Sequence, residues 1–366
     1  MNLNMFRVSL AALATACMTS YSAPDYSVAP GADLLLRINL KAIQASPLFK
    51  ELDKTEDDAD LDAKLFAATG LKKEDVLGFS ASVVLDGVTE ESMANPEALI
   101  ATLPVIAQIH LAKEVTQAQV LKGVDVMNEK HAEGDPLKAV ATGDVIHFTA
   151  GEGKPGFFGG VAKDGKSLFL APTEASVKGA LERSSTGKPA GVSADLVNVL
   201  EKGSHFDLAV VLPASLRAKI SQQIDGMKAS QDPGTAGSAA MFAPFAGLKS
   251  LSISGKLNAA DADFSLALDL GTDANAVAAN QTLSMFSMML AAQMGPAGQK
   301  LKFAPEGSVV KLKMNLTKEE MMEAGKGAMQ GAGGAGAPED MAAPEEPAAP
   351  EEPAAPEATP AEPAAP

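Results

Sequence analysis

Hydrophobic and polar positions alternate along this chain in two rhythms, short runs of period two and longer stretches with a period near 3.6. The run 34–40 (LLLRINL) reads as a strand, and the apolar positions after it continue as a helix through Leu52. Leu61, Leu65 and Phe66 place a helix after an acidic stretch, and strands follow at 78–85 and 105–111. Val120, Val124 and Met127, at i, i+4 and i+7, predict a helix over 116–130. Three short strands, 145–149, 157–162 and 167–171, are separated by turn residues, and Thr173 caps a helix ending near Arg183.

Beyond a Ser/Thr/Gly/Pro linker at 184–189 the same order recurs. A strand at 206–212 leads into a helix over 214–227. Strands 248–257 and 263–270 pair across the turn 258–261, a long helix runs from Asp273 to Gln293, and a strand covers 309–315. Thr317-Lys318-Glu319-Glu320 is a capping box for a last helix. The pattern predicts an α+β fold of two tandem modules, 23–186 and 187–329, each an antiparallel sheet with helices on one face. The matching order implies an internal repeat at the level of pattern rather than identity.

The ends follow different rules. Residues 1–22 have the plan of a secretory signal peptide: one positive charge at Arg7, an apolar run over 8–18 too short to span a bilayer, and small residues before a cut between Ser22 and Ala23. A second reading stays open, because Leu13-Ala14-Thr15-Ala16-Cys17 partly matches a bacterial lipobox. A lipidated Cys17 would anchor the chain to a membrane. From 330 to 366 the chain becomes a Gly/Ala stretch followed by an Ala/Pro/Glu tail with eight acids after Ala337 and no base. Such a segment lacks the apolar surface to offset its chain entropy, so the expectation is a disordered, extended arm.

Composition narrows the chemistry. Across 366 residues the formal net charge is −16, which argues against nucleic acid as a partner. One Cys excludes a disulfide framework and a Cys-based metal cluster, and four scattered His offer little to a metal. We expect no cofactor.

Several motifs match by letter and fail by context. Gly160 to Ser167 spells GxxxxGKS, yet Lys166 and Ser167 lead into the strand-like Leu168-Phe169-Leu170 rather than a helix, with Asp164-Gly165 as the two-residue turn of a hairpin. Nucleotide is therefore not expected. Gly151 to Gly156 fits GxGxxG but is followed by another strand, and Ser185 to Lys188 fits S-x-x-K inside the linker. Asp58-x-Asp60-x-Asp62 opens like a calcium loop but lacks its Gly and its closing Glu. Met285, Met288, Met289 and Met294 on one helix, with Met321 and Met322 on the next, read as soft core packing rather than a copper site. The stretch 241–245 (MFAPF) reads as a loop.

The opening 28–40 (VAPGADLLLRINL), with Ser46-Pro47-Leu48 after it and the run 247–253 (GLKSLSI) in the second half, resembles uncharacterised exported proteins of planctomycete and verrucomicrobial type. The resemblance implies an exported α+β protein and assigns no catalytic residues. The leading expectation is a non-enzymatic binding or structural protein of the bacterial cell envelope, in the periplasm or at the surface, with an envelope protein or surface component as partner. The alternative is a periplasmic hydrolase whose site is assembled in space, recognisable as a His joined to a carboxylate and a nucleophile.

Overall fold

Among the described residues twelve strands carry the architecture: β1 (Leu34–Ile38), β2 (Val76–Val83), β3 (Val105–Leu111), β4 (Leu137–Thr142), β5 (Val145–Ala150), β6 (Phe157–Val161), β7 (Ser167–Ala171), β8 (Phe206–Val211), β9 (Ser250–Leu257), β10 (Asp261–Asp269), β11 (Phe303–Glu306) and β12 (Val309–Thr317). The helices are α1 (Leu40–Ala45), α2 (Pro47–Leu52), α3 (Ala59–Thr69), α4 (Gln117–Lys130), α5 (Glu174–Thr186), α6 (Ala214–Lys228), α7 (Pro233–Phe242) and α8 (Asp273–Met294). The computed structural model describes residues 28–52, 59–86, 88, 103–130, 136–150, 156–188, 193, 195, 196, 200, 203–230 and 232–323. The proposed leader with Cys17, Ser22 and Ala23, the 151–155 loop, His131 and the tail from 330 lie outside them.

The fold is α+β, built on one antiparallel sheet of order β11-β12-β10-β9-β8-β1-β2-β3-β7-β6-β5-β4. The strands of the first half form one block and those of the second half the other. They meet where β1 pairs with β8, from Leu34↔Val210 to Ile38↔Phe206. Outward from that seam the order is alike on both sides, β1-β2-β3-β7 and β8-β9-β10-β12.

Opposed residues of an antiparallel pair share a face, so the register sorts the side chains. One face carries Leu36, Ile38, Phe79, Ala81, Ala107, Ile109 and Phe206, a packed apolar cluster with Leu40 of α1. On this face α8 packs Ala276 and Ala279 against Leu268 and Val310. The other face has a polar middle. There α5 packs Val177 and Ala180 against Ile106, Phe169 and Ala171. Gly160 permits that approach, since a Cβ would lie 2.9 Å from side-chain atoms of both Val177 and Leu181.

Several local expectations change. The helix expected from 40 to 52 is two, because Pro47 forces Ser46 into extended backbone (ψ 128). The expected linker at 184–189 begins inside α5, which ends at a left-handed Gly187. The expected 241–245 loop is helical: Asp232 caps α7 by accepting from Thr235 N–H, Pro233 occupies its first position, and a 3₁₀ turn covers Ala243–Gly247. β4, α7 and β11 had no clear signal in the hydrophobic pattern.

Candidate functional site

The polar middle is a register row. From β12 inward, Lys313 faces Ser265, Ser265 faces Ser254, and Ser254 faces Asp207. Across the seam Asp207 faces Arg37, Arg37 faces Ser80, and Ser80 faces Gln108. The row is covered in the first half and open in the second, and the two parts differ in chemistry.

The covered part is a closed hydrogen-bond network. Ser80 Oγ lies 3.2 Å from His110 Nε2, Gln108 Nε2 lies 3.3 Å from His110 Nδ1, and Gln108 Nε2 donates to Ser167 Oγ at 2.9 Å. All four residues are buried, with Gln108 at 0% exposure. With the Gln108 amide nitrogen turned towards His110, Nδ1 accepts and Nε2–H is directed at Ser80. A Ser–His–Asp triad needs the reverse: a carboxylate holding Nδ1–H so that Nε2 can take the serine proton. Here the residue at Nδ1 is Gln108 and not a carboxylate.

The open part is a groove of about 480 Å³. Its polar side chains come from Ser204, Ser254, Lys256, Asp263, Ser265, Lys313 and Asn315, and Gly203, Gly255, Phe264 and Met314 complete the lining. Ser254 Oγ and Ser265 Oγ are 2.6 Å apart across β9 and β10. Asp263 is held from both sides, with Asn315 Nδ2 donating to Oδ1 and Asn258 Nδ2 donating to Oδ2, each at 2.8 Å. These hydrogen bonds, Asn315's first, lower the Asp263 pKa against its partial desolvation, and the Lys256 charge adds to them. The side chain is thus a fixed, ionised acceptor. At the inner end of the groove Ser204 adjoins His205, whose Nδ1 accepts from Leu257 N–H at 3.0 Å. Burial, then the Lys256 charge, lowers the His205 pKa.

One strand further in, Asn39 N–H donates to the His205 carbonyl at 2.9 Å. The Asn39 side chain is 5% exposed, and neither of its polar atoms has a hydrogen-bond partner among the described residues. Gly78 packs closely alongside, since a Cβ there would stand 3.0 Å from the Ile38 carbonyl oxygen.

The motif residues scatter. Lys166 and Ser167 close the β6–β7 hairpin, whose turn differs from the one expected. Gly165 N–H donates to Ala162 C=O, so Lys163 and Asp164 are the central pair, and Gly165 follows in left-handed backbone (φ +68). The small cavity beside it has Glu114, Asp144 and Asp164 in its lining against the single base Lys163, a net negative charge that disfavours phosphate. Of the described histidines His110 and His147 lie in strands and His205 precedes one; His147 stacks on Phe158 at 4.6 Å. Ser185 sits in the last turn of α5 and donates to the Glu182 carbonyl. Asp60 and Asp62 lie in α3, and among the described residues no group of three His, Cys, Asp or Glu could hold a metal. Met285 and Met288 are 54% and 69% exposed, so the expected core packing fails for both. They project from the face of α8 opposite Ala276 and Ala279.

The network and groove had a trace in the sequence. Ser80 and Ser82, Gln108 and His110, and Ser250, Ser252 and Ser254 are polar residues at period two. Such spacing is ordinarily a solvent face, and only the covering of the first half turns it into a buried network.

No protein-family model matches the chain, and no curated protein matches it. Among solved structures it is similar to the Treponema protein TP0453 in three crystal forms. Form III is 8% identical with a TM-score of 0.41 over 85% of this chain and 100% of that one. Form IV is 8% identical at 0.39, and form I is 9% identical at 0.38, each over 84% of this chain and 98% of the other.

Proposed function

We propose that this chain is an exported, non-enzymatic protein of the bacterial cell envelope that acts by binding, with the groove over β9, β10 and β12 as its binding surface. The observation that carries the reading is the composition of the two polar centres. The buried centre pairs Ser80 and His110 but supplies Gln108 where a hydrolase needs a carboxylate. The open centre has serines beside lysines, but Lys256 and Lys313 are exposed, whereas a lysine base depends on burial. What the groove does offer is a carboxylate fixed by two amides, the pre-organisation that recognition requires.

Three measurements test this. Capture from a native envelope fraction is run with the full chain and with the Lys256→Ala/Asn315→Ala double variant, both changes being at exposed positions. A component retained by the first and lost by the second is expected. Turnover of a p-nitrophenyl ester panel that disappears in Ser80→Ala would establish the hydrolase instead. Export is read from intact mass: the expected mature chain begins at Ala23, and a diacylglyceryl mass on Cys17 would replace a soluble product with an anchored one.

A further inference from the structure

We infer that the outer face of α8 pairs with the same face of a second copy of this chain, the two helices lying antiparallel across a two-fold axis at Gln281. This surface is on the side of the sheet opposite the groove, so the inference stands apart from the binding reading above. It begins from an anomaly of charge. From Ala274 to Gln299 no residue is charged, although 21% of the chain is. The inner side of α8 accounts for part of this, since Ala276, Ala279 and Leu283 pack in one cluster with Leu268 and Val310. The outer side has no such reason to be apolar, yet Val277, Met285 and Met288 stand 50%, 54% and 69% exposed.

Ala274 and Gln281, both exposed, complete the row. Successive helical residues turn by about 100° and rise by about 1.5 Å. All five therefore share roughly a quarter of the helix circumference, in a stripe about 21 Å long. Single exposed apolar residues are ordinary, but a continuous stripe of them marks an interaction site.

The order of the stripe points to its occupant. Gln281 is the midpoint: Val277 and Met285 flank it at equal spacing, and so, further out, do Ala274 and Met288. The smaller side chains lie on its N-terminal side and the larger ones on its C-terminal side. Turned antiparallel about Gln281, a second α8 sets Met288 against Ala274 and Met285 against Val277, and the two-fold axis repeats both pairs. Large meets small each time, the condition for two faces to interdigitate. At the axis the two Gln281 carboxamides face each other, each with a donor and an acceptor to offer. A polar residue in the middle of an apolar seam fixes its register. A parallel pair would set Met on Met and Ala on Ala, and lose that fit.

A bilayer is the other apolar surface such a stripe can meet. Helices that lie on membranes carry Lys and Arg beside the apolar face, where they reach anionic headgroups. The one charged residue of α8 is Asp273, and a net charge of −16 opposes an anionic leaflet. That charge also opposes self-association at long range, so pairing should tighten as salt rises. One helix pair buries less than the roughly 1,600 Å² of a standard interface, which places the expected Kd on the order of 10–100 μM.

The test is sedimentation equilibrium of the full chain from about 1 to 500 μM, a range that brackets this Kd. The parent should pass from monomer to dimer, and more tightly at high salt than at low. Ala274→Lys and Met288→Glu, both at exposed positions, should each weaken pairing about tenfold or more, because each buries an unmatched charge. The double variant Ala274→Lys/Met288→Glu sets opposite charges across the seam twice and should recover most of the loss. Gln281→Lys sets like charges on the axis and should abolish pairing. Melts of each variant at low concentration check folding, and the pair Val277→Lys and Met285→Glu, singly and together, covers a variant that fails to fold. A parent that stays monomeric over the whole range overturns the inference. So does pairing that survives Gln281→Lys, or a double variant no better than its singles. Flotation with phosphatidylcholine–phosphatidylglycerol vesicles decides the remaining case: a monomeric parent that floats, and a Gln281→Lys variant that does not, would give the face to a bilayer and overturn the inference as well.

Discussion

The Asn128 side chain makes to Leu137 the two hydrogen bonds that a neighbouring strand would make. Its Nδ2 donates to the Leu137 carbonyl and its Oδ1 accepts from Leu137 N–H, each at 2.8 Å. Eleven residues earlier on the same helix, Gln117 Nε2 donates to the Gly143 carbonyl at the other end of β4. Helix α4 therefore runs along the free edge of the sheet, tied at both ends. Between the ties Val140 is 61% exposed, the kind of residue an open edge uses to recruit another chain.

Replacing Asn128 by Ala should cost about 1–3 kcal/mol, because two main-chain groups lose their partner together. A chemical melt measures that loss. The sharper readout is light scattering at rising concentration, where the variant should assemble beyond the parent's size. A variant that melts lower but matches the parent's size would mean that α4 shields the edge without these two bonds.

Gly160→Ala tests the fit of α5 on the sheet. The new methyl would meet Val177 and Leu181 at 2.9 Å, closer than carbon atoms approach without displacement. Overpacking of this kind costs about 1–3 kcal/mol. Gly226→Ala, where nothing lies within 4 Å and the residue is in α6, should instead be neutral or stabilising by up to about 1 kcal/mol. Equal effects at the two sites would remove the packing argument.

Gln108→Leu should be among the most damaging single polar changes in the first half. It keeps the volume roughly, but takes a donor from both Ser167 and His110 in a site closed to bulk water. A loss of about 2–4 kcal/mol is expected from two buried groups left short of a bond. Gln108→Glu should be milder at neutral pH, since a carboxylate can accept from Nδ1–H once the His110 proton moves, and its stability should then depend on pH.

Acid should weaken the fold in two separate windows. The His205 pKa is lowered in the folded chain, by burial first and by Lys256 second, so the folded state favours the neutral ring. Above the ordinary His value of about 6.5 neither state is protonated and the group contributes nothing. Below it the unfolded chain takes the proton first, and stability falls until the folded pKa is reached. The Asp263 and Glu320 pKa values are lowered too, but for a carboxyl that favours the charged form in the folded state. Asn315 chiefly lowers the first, Lys300 chiefly the second, and both stabilise the fold above the usual carboxylate range and lose that effect as pH falls through their lowered values. Urea melts between pH 7 and 3 should show the first decline in the parent and not in His205→Gln, whose amide oxygen can still accept from Leu257 N–H.

Strands with strong alternation were legible from the residues, as 105–111, 167–171 and 206–212 show. So were ends marked by chemistry: Thr173 accepts from Ser176 N–H, and Thr317 and Glu320 bond each other's main chain. β4 was illegible because LKAVAT is short, rich in Ala and held by α4 rather than by its own pattern. α7 was hidden by its glycines, although Asp232-Pro233 announced its start. The join of β1 to β8 had no local sign, since pairing partners some 170 residues apart leave no spacing to read. For the same reason the Met285 and Met288 stripe was misjudged: helical spacing shows that residues share a face, not which way the face turns.

The β1–β8 join also dictates an order of events during synthesis. Leu34–Ile38 leaves the ribosome well before Phe206–Val211, yet that later segment is one of its two flanking partners. Until that segment emerges, β1 offers a bare row of main-chain donors and acceptors at the centre of the future sheet. Folding must therefore wait on a long loop closure, which is slow and leaves the nascent chain exposed to wrong pairings. The longer that wait, the greater the chance that β1 pairs with the same strand of another copy.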